Sequence, residues 1–126
     1  MSKITLGILG GGQLGSMLSI AAKKLNIKTV IYCDDKDAPA QNFCDEFIYA
    51  KYDNKTMFYD FANKVDIITY EFENIPFETL NELSKLKSVL PKPSINRLIQ
   101  HRLAEKDFIN KLNIRTTRYV HIENKK

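Results

Sequence analysis

The sequence predicts a doubly wound α/β domain, in which helices cover both faces of one parallel β-sheet. Short apolar runs rich in β-branched residues alternate with amphipathic stretches at helical spacing, which is typical of β-α-β units. The 126 residues suffice for one domain of ordinary size, and 44% of them are hydrophobic. All five glycines lie between positions 7 and 15, where the first apolar run meets the first amphipathic stretch. One loop therefore has a special backbone role.

The apolar runs predict the strands, and the amphipathic stretches between them predict the helices. Strands are expected at 4–9, 28–33, 47–49, 66–70, 88–90 and 116–120. Helices are expected from Gln13 to about Asn26, over 57–65, from Pro76 to about Leu86, and from a Ser94 cap to about Leu112. In the first helix, the residues expected to face the core are Leu14, Met17, Leu18, Ala21, Ala22 and Leu25. Residues 123–126 are expected to form a solvated tail.

The net positive charge arises at the C-terminal end of the chain. Residues 1–50 and 51–100 are each balanced, whereas residues 101–126 carry seven basic and three acidic side chains, which is the whole formal net charge of +4. A general nucleic-acid-binding surface is therefore not expected. No apolar run approaches the roughly 20 residues of a membrane-spanning helix, and the N-terminus does not resemble a signal peptide. A cytoplasmic protein without membrane contact is expected.

The cysteines and histidines do not form a metal-binding pattern. Cys33 and Cys44 are eleven residues apart, without Cys-x-x-Cys spacing, and His101 and His121 lie far from both. We expect two buried free thiols in a reducing compartment and no metal site.

The segment from Gly10 to Gly15 matches the pattern G-x-G-x-x-G between a predicted strand and a predicted helix. Here Gly10 permits a tight turn, Gly12 lets an anion approach the backbone, and Gly15 lets the helix pack closely on the strand. The free N–H groups at a helix start favour an anion. Asp34 follows Gly15 by 19 residues, where dinucleotide sites place an acidic residue that binds ribose. The pattern favours a ligand site, with a purely structural glycine turn as the alternative.

Two carboxylates follow the fourth predicted strand, in the segment YEFENIP at residues 70–76. Glu71 and Glu73 point the same way if the backbone stays extended. Ligands of open α/β sheets bind at the carboxyl ends of strands. By spacing alone, the pair fits recognition of hydroxyl or amino groups as well as it fits two solvent-facing acids before a helix.

Residues 101–108 place two basic residues, Arg102 and Lys106, on one predicted helix. Both are suited to contact phosphate, but Arg102 is also an ordinary helix-face neighbour of Glu105 and Lys106. By spacing alone, the second interpretation is favoured.

Taken in order, these motifs resemble one family. The segments are GILGGGQLGSML (7–18), DDKDAPA (34–40), VDIITYEFENIP (65–76), PKPS (91–94) and RLAEK (102–106). Together they are similar to the N-terminal part of the 5-(carboxyamino)imidazole ribonucleotide synthases, which are ATP-grasp enzymes of bacterial and fungal purine biosynthesis. The resemblance covers about residues 4–119.

The resemblance implies a fold, a reaction and several site residues. Family members join 5-aminoimidazole ribonucleotide to bicarbonate with ATP and Mg²⁺, through a carboxyphosphate intermediate, and are often homodimers. Their N-terminal pre-ATP-grasp domain is Rossmann-like yet binds no dinucleotide. By this resemblance, residues 1–100 form that domain and residues 101–126 begin the ATP-grasp region. The implied substrate-binding residues are Gly11, Gly12, Gln13, Leu14 and Glu73, and Arg102 is implied to approach the ATP phosphates.

Family members run to several hundred residues, and the resemblance places their metal-binding acids and most ATP contacts after position 126. We therefore expect no catalytic residue and no metal ligand here, and no catalysis by residues 1–126 alone. Two other classes stay open. One is a stand-alone Rossmann regulatory module that binds NAD or another adenine nucleotide through residues 10–15 and Asp34. The other is a structural or regulatory remnant that docks on a partner and binds no small molecule.

Overall fold

The computed structural model describes residues 4–124, along which β-strands and α-helices alternate. The strands are β1 (Thr5–Leu9), β2 (Lys28–Cys33), β3 (Glu46–Tyr49), β4 (Ile67–Tyr70) and β5 (Ser88–Val89). The helices are α1 (Gln13–Lys24), α2 (Lys55–Lys64), α3 (Phe77–Ser84), α4 (Pro93–Gln100) and α5 (Arg102–Lys111). A short 3-10 helix, Pro39–Asn42, lies between β2 and β3. No helix in this part of the chain is long and apolar enough to cross a membrane.

The five strands run parallel in one sheet of order β3-β2-β1-β4-β5. Leu9 of β1 pairs with Tyr32 of β2 and with Tyr70 of β4, so the three central strands end close to one edge. The strand order reverses between β1 and β4, and ligands of open α/β sheets bind at the carboxyl edge beside such a reversal. The predicted doubly wound fold is confirmed, and the loops after β1 and β4 meet at that edge.

The two faces of the sheet carry side chains of different size, because successive residues of a strand point to opposite faces. Leu9 and Tyr32 belong to the larger core, whose members from α2 and α3 are Phe58, Phe61, Leu80 and Leu83. Ile8 and Ile31 belong to the smaller core, with Ala38 and Ala40 beside them. The large core holds the sheet against α2 and α3, whereas the small core lets the opposite layer approach closely.

Helix α1 packs on the sheet through small side chains. Its buried residues are Gly15, Ser16, Ser19 and Ala22. A Cβ added to Gly15 would lie 2.9 Å from the carbonyl oxygen of Gly10, so α1 and the loop before it are too close for a larger side chain. This close approach turns the small residues inward. Of the residues predicted to face the core, Ala22 is buried, but that prediction is wrong for the others: Leu14, Met17, Leu18, Ala21 and Leu25 are exposed.

The single helix predicted from Ser94 to Leu112 is two helices. His101 has an extended backbone, with ψ at 104°, and its Nδ1 accepts a hydrogen bond from the N–H of Ala104 at the start of α5. Helix α4 begins at Pro93, with Lys92 in the capping position, so the predicted Ser94 cap is also wrong. Proline suits the first turn of a helix because its missing N–H has no partner there in any case.

The predicted strand at 116–120 is absent; residues 114–124 have no regular secondary structure. Asn113 has a left-handed backbone, φ 61°, immediately after α5 and Leu112. The chain then returns along the helix, where Tyr119 donates a hydrogen bond to Asp107 and Lys106 bonds Thr117. Side-chain bonds to α5 therefore replace a strand ladder here. Of the predicted tail, residues 123–124 are exposed and residues 125–126 lie outside the described residues.

Replacing Gly15 by alanine tests the close approach of α1 to the loop. We expect Gly15→Ala to lower the free energy of unfolding by about 1–3 kcal/mol, because the added methyl group meets a backbone carbonyl that cannot move aside cheaply. Urea denaturation measures the change. Met17→Ala, on the exposed face of the same helix, is the control and should change stability by less than about 0.5 kcal/mol. Equal stabilities for Gly15→Ala and the parent chain would contradict the tight packing.

Candidate functional site

The glycine loop, residues 10–15, connects β1 to α1 at the carboxyl edge of the sheet. Gly10 has φ +99°, a conformation that side-chain-bearing residues rarely adopt, and its N–H donates to the carbonyl of Tyr32 at 2.9 Å. The Gly11 carbonyl accepts from the N–H of Ala40 at 3.0 Å. The loop is thus tied to β2 on one side and to the 3-10 helix on the other.

A carboxylate from the end of β4 occupies the anion-binding position of this loop. The N–H of Gly12 donates to Oε1 of Glu71 at 3.0 Å. The Glu71 N–H donates to the Leu9 carbonyl at 3.0 Å, which continues the pairing of β4 with β1 by one residue and aims the side chain at the loop. A Cβ on Gly10 would lie 2.5 Å from Cγ of Glu71. The negative charge lies beside the start of α1, where the helix dipole favours it.

This carboxylate changes what the loop can bind. A dinucleotide places its pyrophosphate on the N–H groups of such a loop. Here the Gly12 N–H is already bonded, and the Glu71 charge repels a second anion at the same place. The second oxygen of Glu71 accepts no hydrogen bond from the described residues, so the site offers an acceptor. The loop therefore suits a ligand that donates hydrogen bonds better than it suits a phosphate, which disfavours the NAD-binding alternative.

The other predicted loop residues differ in exposure. Gly11 is buried and Gly12 is half-buried, whereas Gln13 and Leu14, at the first turn of α1, are exposed. The Gln13 side chain makes no hydrogen bond within residues 4–124. Both side chains are therefore free to meet a ligand at the edge of the sheet.

Glu73 does not share the contact between Glu71 and the glycine loop. It lines a separate cavity. Strand β4 ends at Tyr70 and the backbone bends, so the two carboxylates do not continue along one face as an extended backbone would place them. Glu73 and Arg102 line one cavity of about 470 Å³, with Asn74, Ile99, Gln100 and Glu105. Arg102 forms an ion pair with Glu105. The structure thus brings the predicted substrate-binding acid and the predicted phosphate-facing arginine to one place.

Two amide side chains of α4 hold the turn that carries Glu73. The side-chain nitrogen of Gln100 donates to the carbonyls of Glu73 at 2.6 Å and of Ile75 at 2.7 Å. That of Asn96, a fully buried residue, donates to Ile75 at 3.2 Å. Sequence reasoning missed both residues. The available signal was two amides four residues apart, which lie on one face of a helix.

The described residues contain no group of three or more His, Cys, Asp or Glu side chains placed to hold a metal ion. Cys33 and Cys44 are free thiols, and Cys33 is buried, but the predicted burial is wrong for Cys44, which is half-buried. Burial raises the pKa of the Cys44 thiol, which lowers its reactivity as a nucleophile. The polar groups that line the two cavities at this edge of the sheet include carboxylates, amides, lysines and one arginine.

Removing the Glu71 carboxylate should convert the loop into an anion site. We expect Glu71→Ala to bind inorganic pyrophosphate at least about tenfold more tightly than the parent chain, because the Gly12 N–H is released and a negative charge is lost. Isothermal titration calorimetry measures the affinities. Glu73→Ala removes the same charge without touching Gly12 and should show no such gain. Tight pyrophosphate binding by the parent chain would contradict the proposal that Glu71 prevents an anion from binding at the Gly12 N–H.

Comparison with known proteins connects this geometry to one enzyme family. The family model described as the ribonucleotide synthetase preATP-grasp domain matches residues 1–100. The bifunctional purine synthesis protein purC/E of Dictyostelium discoideum is 43% identical over 119 residues, which are 94% of this chain and 12% of that protein. The N5-carboxyaminoimidazole ribonucleotide synthase of Brucella melitensis is 39% identical over 112 residues, which are 89% of this chain and 31% of the relative.

Solved structures agree with these relatives. N5-carboxyaminoimidazole synthetase from Staphylococcus aureus, complexed with ADP, superposes with a TM-score of 0.82 at 37% identity, covering 89% of this chain and 31% of that one. The synthase from Aspergillus clavatus, in complex with ADP and 5-aminoimidazole ribonucleotide, superposes with a TM-score of 0.78 at 28% identity, covering 89% and 30%. The chain therefore spans about a third or less of the length of these proteins.

Proposed function

The chain belongs to the ribonucleotide synthetase preATP-grasp domain family, and we propose that it is the substrate-side domain of a ligase that carboxylates 5-aminoimidazole ribonucleotide with bicarbonate and ATP in purine biosynthesis. The observation that carries the proposal is the cavity shared by Glu73 and Arg102. These residues are far apart in sequence, and the turn held by Gln100 and Asn96 brings them together. In this cavity, Glu73 offers an acceptor for hydrogen bonds from a ligand, and Arg102 offers donors for an anion.

The substrate side is built from carboxylates and the glycine loop. The amino and hydroxyl groups of 5-aminoimidazole ribonucleotide are hydrogen-bond donors, and Glu73 supplies an acceptor for them. Oε2 of Glu71, which accepts no hydrogen bond from the described residues, supplies a second acceptor. The hydrogen bond from the Gly12 N–H to Oε1 holds the Glu71 carboxylate in place. The backbone of Gly11 and Gly12 and the exposed side chains of Gln13 and Leu14 then form the wall beside the substrate.

Arg102 is the proposed contact for ATP phosphates in this chain. A guanidinium group has five N–H donors, so Arg102 keeps donors for a phosphate while it remains paired with Glu105. Bound ATP supplies the phosphoryl group that activates bicarbonate. By the family resemblance, the acids that hold Mg²⁺ are proposed to lie after position 126.

The domain boundary is proposed to lie between α4 and α5, with residues 1–100 forming the pre-ATP-grasp domain and residues 101–126 beginning the ATP-grasp region. The extended backbone of His101 supports this division because it separates the two helices.

Homodimer formation and a cytoplasmic location are proposed on the same family resemblance. Sedimentation of the purified chain tests the dimer.

Binding of 5-aminoimidazole ribonucleotide tests the proposed substrate side. Calorimetry should detect binding to the parent chain, and Glu73→Gln should weaken it by about tenfold, because a hydrogen bond to a charged acceptor is lost. Glu123→Gln, which neutralises an exposed carboxylate in the C-terminal segment, is the matched control and should leave the affinity unchanged. Equal affinities for Glu73→Gln and the parent chain would contradict the assignment.

NAD binding that is lost in Gly12→Val would favour the dinucleotide module instead. No response to any of these ligands would favour the structural remnant.

The 126 residues alone should not hydrolyse ATP in response to 5-aminoimidazole ribonucleotide and bicarbonate. A single α/β domain has no opposing wall that closes over ATP and excludes water. A phosphate-release assay with both substrates and Mg²⁺ measures this. Turnover that depends on both substrates would contradict the prediction.

A further inference from the structure

A second cavity lies at the carboxyl edge of the sheet and shares no residue with the cavity of Glu73 and Arg102. Its volume is about 550 Å³, within the range of small-molecule sites. Three segments that follow strands surround it: Asp34 directly after β2, residues 51–55 after β3, and residues 76–82 at the start of α3. The proposed function leaves this cavity unused.

The cavity has an apolar wall that is held in place by aromatic packing. Tyr52, Phe58 and Pro76 form this wall. The rings of Tyr52 and Phe58 each lie 5.9 Å from that of Tyr32, a spacing typical of packed aromatic pairs. Thr79 donates a hydrogen bond to the Tyr52 carbonyl, which ties the wall to α3. Such a surface suits the face of an aromatic ring.

The polar lining consists mainly of hydrogen-bond acceptors. Asp34, Asp53 and Glu78 form no side-chain hydrogen bond or ion pair within residues 4–124, whereas Lys51 and Lys55 are the cations of the lining. Burial, and to a smaller extent the charges of Asp53 and Asp34, raise the pKa of Tyr32, which packs behind the wall, to about 12. Free carboxylates favour a ligand that presents hydroxyl and amino groups.

The position of Asp34 narrows the ligand class. In sheets of this order, an acidic residue at the end of the second strand hydrogen-bonds ribose hydroxyls. A dinucleotide would continue from that ribose to a pyrophosphate on the glycine loop, but Glu71 occupies the Gly12 N–H. The chain therefore keeps an acidic residue, Asp34, where ribose would bind, but it lacks a free Gly12 N–H where a phosphate would bind. This combination fits a ribose attached to an aromatic base and carrying no phosphate.

We propose that this cavity binds an unphosphorylated purine nucleoside, with the base against Tyr52 and Phe58 and the ribose hydroxyls on Asp34. The exocyclic amino group of adenosine is a donor for Asp53 or Glu78, and Lys51 and Lys55 are donors for the ring nitrogens. The site is separate from the proposed substrate side.

The test is calorimetric titration of the full 126-residue chain with adenosine. Saturable binding at one site is expected, with AMP and NAD weaker because their phosphates meet the carboxylates. Asp34→Asn should weaken adenosine binding by about tenfold, since charged acceptors form the stronger hydrogen bonds. Asp37→Asn, which removes the same charge from an exposed residue outside the cavity lining, is the matched control and should bind as the parent chain does. Asp34 is itself exposed, so its substitution should leave the fold intact, which circular dichroism checks.

Three results would overturn the proposal: no saturable binding of adenosine, equal adenosine affinity in Asp34→Asn and the parent chain, or displacement of adenosine by 5-aminoimidazole ribonucleotide. Glu73→Gln separates this proposal from the proposed function. That substitution should weaken binding of 5-aminoimidazole ribonucleotide and leave adenosine binding unchanged. If adenosine binding also fell, a separate nucleoside site would be refuted even if the substrate assignment held.

Discussion

The hydrogen bond from the Gly12 N–H to Glu71 is the contact on which our account of this glycine loop depends. A glycine loop at the start of a helix is an anion site in many α/β folds, because its N–H groups and the helix dipole attract negative charge. Here the chain supplies its own anion, held by the continuation of β4 pairing at Glu71. The loop keeps the tight turn of a dinucleotide fold but presents a carboxylate oxygen at the Gly12 N–H. We propose that the loop thereby serves as a surface for hydrogen-bond donors.

The packing of α1 makes this arrangement possible. Gly15 allows the helix to lie against the Gly10 carbonyl, and Gly10 and Gly12 leave room for the Glu71 side chain, since a Cβ on either would lie within 3 Å of it. The larger core on the other face holds β1 and β4 in register, so the end of β4 lies beside the loop. Asn96 and Gln100 then fix the turn that follows, which places Glu73 beside Arg102. Strand register, glycine packing and two amides together build the edge of the sheet.

Much of this arrangement follows from the sequence, and the exceptions have physical causes. Alternating apolar runs predict five of the strands and the sheet class, because burial on both faces leaves a clear pattern. The same periodicity fails for α1, where Leu14 and Met17 repeat at helical spacing but face outward, since close packing selects Gly15 and Ser19 instead. It also fails at His101, where one polar residue with an extended backbone divides a continuous amphipathic pattern into two helices. The separation of Glu73 from Glu71 depends on a backbone bend after Tyr70, which residue spacing does not reveal.

The most direct measurement is the amide resonance of Gly12, followed by nuclear magnetic resonance in the isotope-labelled chain while ligands are added. If the Glu71 carboxylate makes this loop a site for donor groups, 5-aminoimidazole ribonucleotide should shift that resonance in a saturable way and NAD should leave it unchanged. In Glu71→Ala, the response to 5-aminoimidazole ribonucleotide should weaken and NAD should begin to shift the resonance. A saturable shift with NAD in the parent chain, and none with 5-aminoimidazole ribonucleotide, would contradict this role of the glycine loop.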